Sequence, residues 1–91
     1  MKISDSFKVA INNTFKHTVF WKRDEETFLK TFNIKVKGSD NMAMLPPIDN
    51  VGIEKIDETH DKLTLIYDDY NVDGIVTWRI VNGHSVFVNF E

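Results

Sequence analysis

Lys62–Glu91, KLTLIYDDYNVDGIVTWRIVNGHSVFVNFE, reads as three consecutive antiparallel strands, and the rest of the chain is read outward from it. In Lys62–Asp68, Leu63, Leu65 and Tyr67 alternate with Thr64 and Ile66. In Ile75–Val81, Val76, Trp78 and Ile80 alternate with Ile75, Thr77 and Arg79; in Ser85–Phe90, Val86, Val88 and Phe90 alternate with Phe87 and Asn89. Period-two alternation in β-branched and aromatic residues is the signature of half-buried strands. Asn82-Gly83, between the last two runs, is the strongest short-range hairpin signal.

Register follows from asking which pairing keeps one face apolar. A two-residue Asn82-Gly83 loop pairs Arg79 with Val86 and Thr77 with Val88, mixing polar and apolar side chains. A three-residue loop, Val81-Asn82-Gly83, pairs Trp78 with Val86 and Val76 with Val88, and is the expected one, because a one-residue slip turns every side chain over. Gly83 then takes the left-handed conformation at little cost. Upstream, Leu65 is expected opposite Val76 and Leu63 opposite Trp78, leaving Asp68–Asp73 as a six-residue loop. The resulting apolar face, with Leu63, Leu65, Tyr67, Val76, Trp78, Ile80, Val86, Val88 and Phe90, needs a cover from earlier in the chain.

Ile3, Phe7, Ala10, Ile11, Thr14, Phe15, Thr18 and Val19 recur at three- and four-residue steps, one face of an amphipathic helix with Ser4 or Asp5 as N-cap. The helix is expected to end near Phe15 or Lys16. Its competitor is a strand over Phe7–Ile11 turning at Asn12-Asn13. His17–Lys22 is strand-like. After Asp24, Phe28, Leu29 and Phe32 mark a second short helix, with Glu25 and Glu26 at the positive end of its dipole. Asn33–Lys37 alternates as a short strand, and Val51–Asp57 predicts another. The fold expected is therefore α+β, a single domain over residues 1–91. One or two short N-terminal helices pack on a four- to five-stranded, mainly antiparallel meander. The expected core holds Phe7, Ile11, Phe15, Phe28, Leu29, Phe32, Leu63, Leu65, Trp78 and Val88, with Phe20 and Trp21 read as core residues too.

The 91 residues, 42% hydrophobic and 27% charged, have an ordinary globular composition. Without cysteine there is no disulfide, thiolate nucleophile or cysteine-based zinc site, and a reducing cytoplasmic location fits. No apolar run spans a bilayer and no secretory signal is expected. Lysine outnumbers arginine nine to two, a usage typical of AT-rich coding sequence as in low-GC bacteria and their phages. Residues 1–38 carry eight Lys or Arg against four Asp or Glu, net +4; residues 39–91 carry three against ten, net −7. The asymmetry predicts a two-sided electrostatic surface.

Asp69-Tyr-Asn71-Val-Asp73-Gly74 matches the opening of an EF-hand loop, yet the twelfth position is Ile80 in place of the bidentate glutamate, and strands flank it. An EF-hand is excluded; weak calcium binding by an Asp-rich turn would need ligands from elsewhere. His17, His60 and His84 lack metal-ligand spacing. Asp57, Glu58, His60 and Asp61 form a dense acidic turn, read as solvated. No catalytic, cofactor or metal motif is present, so the reading is non-enzymatic. The leading expectation is a small protein-binding module, of the accessory, inhibitor or immunity type. It would use Asp57, Glu58, Asp61, Asp68, Asp69 and Asp73, with the Met42, Met44 and Leu45 segment before Pro46-Pro47 as an adaptable docking loop. One alternative is a subunit of a phage-like or other homo-oligomeric assembly, pairing at strand edges near Phe90 or Ile34. Another is nucleic-acid binding through Lys16, Trp21, Lys22, Arg23 and Lys30, where cations interleave with aromatics. The net charge of −3 opposes general attraction to phosphate.

Overall fold

The computed structural model describes residues 3–32 and 48–91, and of Ile3, Ser4 and Phe32 the backbone only. The elements run α1 (Ile3–Phe15), β1 (Val19–Phe20), α2 (Glu25–Phe32), β2 (Asn50–Asp57), β3 (His60–Ile66), β4 (Asn71–Val81) and β5 (His84–Phe90). The five strands form one antiparallel sheet in the order β1-β5-β4-β3-β2, an α+β architecture. The expected strand at Asn33–Lys37 and the Met42, Met44 and Leu45 segment lie outside the described residues.

Helix α1 starts at Ile3, upstream of both expected caps, and buries Ile11 and Phe15 on the stripe read from the sequence. It stops because His17 adopts a left-handed conformation (φ 65°) while Thr18 N–H returns to Phe15 C=O at 2.8 Å. The chain then passes directly into the sheet. His17 N–H donates to Phe87 C=O at 3.0 Å and Phe87 N–H to Thr18 C=O at 2.9 Å, setting Val19 against Val86 and Phe20 against Ser85. Beyond the reach of β1, Asn12 closes the same edge of β5. Its Nδ2 donates to Phe90 C=O at 2.8 Å and its Oδ1 accepts from Phe90 N–H at 2.7 Å, as a neighbouring strand would. Helix α2 is capped by Asp24, whose Oδ1 accepts from Thr27 N–H at 2.8 Å.

Two registers differ from expectation. Strand β3 pairs Leu65 with Val72 and Leu63 with Gly74, so β4 begins at Asn71 and the loop shrinks to Tyr67–Tyr70. The displacement is four residues. Being even, it leaves the inner face intact while adding ladder bonds that a six-residue loop would forgo. The apparent EF-hand opening dissolves as a result, because Asn71, Asp73 and Gly74 are strand residues.

Between β4 and β5 the loop has two residues, with Asn82 at φ 51° and Gly83 at φ 80°, the twist-matched hairpin turn. Arg79 therefore does oppose Val86. A bulge restores the parity: Trp78 pairs with Phe87 but Thr77 with Asn89, and Val88 is the extra residue. The bulge reconciles the favoured two-residue turn with a coherent inner face, which a regular ladder could not do. Phe87 and Phe90 turn inward. Val88 and Ile80, both expected inside, are 43% and 39% exposed, and Val86 is buried outside the main core cluster.

Trp78 is the hub of the core. Phe20 from β1, Phe28 from α2 and Phe87 from β5 present themselves edge-on to it at centroid distances of 5.0, 5.7 and 5.8 Å. Phe15 of α1 meets Phe87 at 6.2 Å.

Candidate functional site

The candidate site residues divide between the two ends of β4, with acidic residues at both. From Asn71 to Val81 is ten residue steps, about 33 Å at ~3.3 Å per residue, close to the largest extent of the fold, 35 Å.

The acidic end is built on the Tyr67–Tyr70 turn. The two tyrosine rings stack at 5.1 Å, and Phe7 of α1 lies 5.0 Å from Tyr67 and 5.9 Å from Tyr70. Tyr67 is buried, which together with the neighbouring Tyr70 pushes its phenol up to about 12. The aromatic anchor fixes the turn and leaves Asp68 and Asp69 exposed at its tip. Asp49 N–H donates to Ile66 C=O at 2.8 Å, which brings the start of β2 to the same end of the sheet. There the neighbouring Asp68 carboxyl, as hydrogen-bond partner first and then with some desolvation and like-charge repulsion, raises the Asp49 pKa above its ordinary value. Asp73 is exposed on β4 opposite Thr64. The sequence reading missed Asp49; pairing Asn50 with Ile66 is what would have revealed it.

The other acidic residues lie at the far end of β3. Asp57 accepts from Thr59 N–H at 2.9 Å and lies 2.8 Å from His60 Nδ1, and these bonds, the histidine first, lower its pKa. Asp61 is 2% exposed. It takes a bidentate pair from Arg23, Nε to Oδ2 at 2.8 Å and Nη2 to Oδ1 at 2.7 Å, and a bond from Trp78 Nε1 at 2.9 Å. Arg23 also donates to the carbonyls of Asp57 and Glu58, and its guanidinium lies 5.5 Å from the Trp78 ring. Asp61 and Arg23, read as surface residues, instead form an internal lock between the segment before α2 and the β2–β3 turn. Glu58 remains exposed.

Of the basic residues, Lys30 pairs with Glu26 at 3.2 Å, whereas Lys16 and Lys22 are exposed. Trp21 is 60% exposed, contrary to the expectation that it joins Phe20 in the core. A shallow groove of about 270 Å³ is lined by Glu25, Gly52, Ile53, Glu54, Lys62 and Thr64, below the size of ordinary small-molecule pockets. Among the described residues, no group of three or more His, Asp or Glu could hold a metal ion, and no helix is long and apolar enough to cross a membrane. Compared with known protein families, curated proteins and solved structures, the chain matches none of them.

Proposed function

We propose that the chain is a small, non-enzymatic protein-binding module that presents its acidic end to a basic partner, with Asp49, Asp68, Asp69 and Asp73 as the contact set. The observation that carries this reading is the gathering of exposed carboxylates at one end of the sheet, where the Asp49 N–H bond to Ile66 sets Asp49 beside the Tyr67–Tyr70 turn that bears Asp68 and Asp69. Carboxylates gathered there repel one another in the free protein, and an incoming lysine or arginine relieves that repulsion. The acidic turns are divided between the ends of β3, so the set used is narrower than the six residues of the sequence reading. Asp57, Glu58 and Asp61 belong to the far turn and the internal lock. A cytoplasmic protein of a low-GC bacterium or its phage remains the setting that composition favours.

The alternative, a subunit of a homo-oligomeric assembly, needs a free strand edge. At Phe90 that edge is occupied by the Asn12 amide, and Ile34 lies outside the described residues.

The test begins with capture from host lysate with and without nuclease. The retained protein is then titrated against wild type and an Asp68→Asn, Asp69→Asn, Asp73→Asn variant over a range of salt. Association should slow by roughly tenfold or more at low salt and lose most of its salt dependence. Unchanged affinity and unchanged salt dependence refute the assignment.

A further inference from the structure

The outer face of the sheet at the β1 end carries a surface of a different chemistry. Val19, Val86 and Arg79 stand side by side across β1, β5 and β4. Two residues on, and so on the same face, His84 pairs with Val81, and extending the β1 register by one residue brings Trp21 to His84. Val19, Trp21, Arg79, Val81 and His84 are all exposed, with Lys16 and Lys22 flanking β1. Ion pairs among the described residues engage Arg23 and Lys30, and none engages Lys16, Lys22 or Arg79.

We infer that this face, centred on Trp21, is a binding platform for single-stranded nucleic acid. The indole of Trp21, 60% exposed at the bend where β1 ends, offers a stacking surface for a base. Arg79 stands two strands across and one same-face row along from Trp21, a backbone separation of roughly 12 Å, so its long side chain can reach the neighbouring phosphates. Lys16 and Lys22 extend the cationic track on either side. A single strand suits the geometry better than a duplex, whose bases are closed to stacking. The net negative charge of the chain is a weak objection here. The carboxylates of Asp49, Asp68 and Asp69 sit about 30 Å away along β4, several times the ~8–10 Å screening length near physiological salt. The nearer acids are Asp24, whose carboxylate caps α2, Asp61, which is paired with Arg23, Glu26, which is paired with Lys30, and Asp57, which faces His60 and Thr59, with Glu25 and Glu58 exposed at the border. The expected nucleic-acid set thus changes membership: Arg23 and Lys30 leave it, and Arg79 and His84 enter.

The two tryptophans make the test direct, because Trp78 is buried and Trp21 is not. A labelled oligothymidine of about ten nucleotides, titrated with the full chain and followed by anisotropy, should bind and should quench the red-shifted Trp21 emission while leaving the blue-shifted Trp78 emission intact. Trp21→Ala should weaken binding by between about fivefold and a hundredfold, the worth of one stacked base. With three cations on phosphate, the slope of log K against log salt should be about −2, and Lys22→Gln with Arg79→Gln should flatten it. Far-UV dichroism and Trp78 emission verify that each variant folds. Absence of binding at low salt, equal binding by Trp21→Ala, or equal affinity for duplex would each overturn the proposal. A Trp21-dependent dimer in light scattering, with no oligonucleotide bound, would instead make the face a contact between copies of this chain.

Discussion

Removing Arg23 should be among the most damaging single changes in the molecule, although the residue is charged and partly reachable by solvent. Truncation to alanine leaves the Asp61 carboxylate, 2% exposed, with Trp78 Nε1 as its remaining donor, and uncovers the carbonyls of Asp57 and Glu58. Breaking a buried pair from one side costs about 3–5 kcal/mol. A domain of this size has roughly 5–14 kcal/mol in all. At a urea slope of about 1.5 kcal/mol per molar, the midpoint should fall by about 2–3 M. Asp61→Asn should cost less, about 1–3 kcal/mol, because Arg23 keeps two carbonyl acceptors and is 15% exposed. Arg23→Lys should fall between, since an ammonium cannot reproduce the planar two-pronged geometry. The decisive variant is the double substitution Arg23→Met with Asp61→Leu, which removes both charges together and should recover much of the loss. Urea unfolding followed by Trp78 emission measures all four. The lock reasoning fails if Arg23→Ala costs less than about 1 kcal/mol, or if the double variant is as unstable as the two single losses added.

Four further outcomes follow from particular contacts. A Cβ at Gly74 would lie 2.6 Å from Glu91 O and 2.9 Å from Phe90 Cε1, so Gly74→Ala should destabilise by about 1–3 kcal/mol in thermal unfolding, and a neutral result would mean the strand end gives way freely. Asn12→Ala should cost about 1–3 kcal/mol and reopen the β5 edge, with self-association rising in light scattering; a strict, equally stable monomer would count against the amide as an edge cover. Asp24 is held below its ordinary 3.8 by its bonds to Thr27. Its contribution is therefore complete above 3.8 and lost as pH falls from there through the lowered folded value. The deficit of Asp24→Ala in urea should accordingly be present near neutrality and vanish in acid; a deficit independent of pH would exclude the linkage. Asp49 has the opposite sign: its raised pKa means the fold loses stability as pH rises from 3.8 through the folded value. Asp68→Asn should stabilise the neutral protein and return the Asp49 carboxyl shift in NMR titration toward 3.8.

What the sequence made legible was the local part of the fold. The α1 stripe, the α2 face and the alternation in β3 and β4 all rest on periodicities that neighbouring residues set. The four-residue slip in β3–β4 pairing left the inner face unchanged because parity survives an even shift. The β5 face was misread because a bulge has no composition of its own: Val86, Phe87 and Val88 are three consecutive apolar residues that alternation alone cannot divide. Trp21 was misplaced for a related reason. Strand β1 is two residues long, so Phe20 fills the core while its neighbour is left at the bend where the strand ends. The Arg23–Asp61 lock spans 38 residues of sequence, and nothing local distinguishes its members from the solvated charges around them. Of the site, Asp68, Asp69 and Asp73 were identifiable as exposed turn charges. Asp49 became visible only through the pairing of β2 with β3.

The separation of the two ends along β4 gives the two proposed surfaces a joint consequence. Sites more than about 10 Å apart with no shared partner should contribute to stability and binding additively, within about 0.5 kcal/mol. Here the separation is about 30 Å along a single rigid strand. Combining Trp21→Ala with Asp68→Asn and Asp69→Asn should therefore weaken oligonucleotide binding no more than Trp21→Ala alone. At low salt the acid-neutral variant without the Trp21 change should bind the oligonucleotide slightly faster, because the long-range field opposing it is reduced. The same measurement at about 0.2 M salt should erase that gain and leave the Trp21 effect intact, since stacking is not screened. A large coupling between the ends at high salt would mean that the sheet transmits more than charge. The two faces would then have to be treated as one surface.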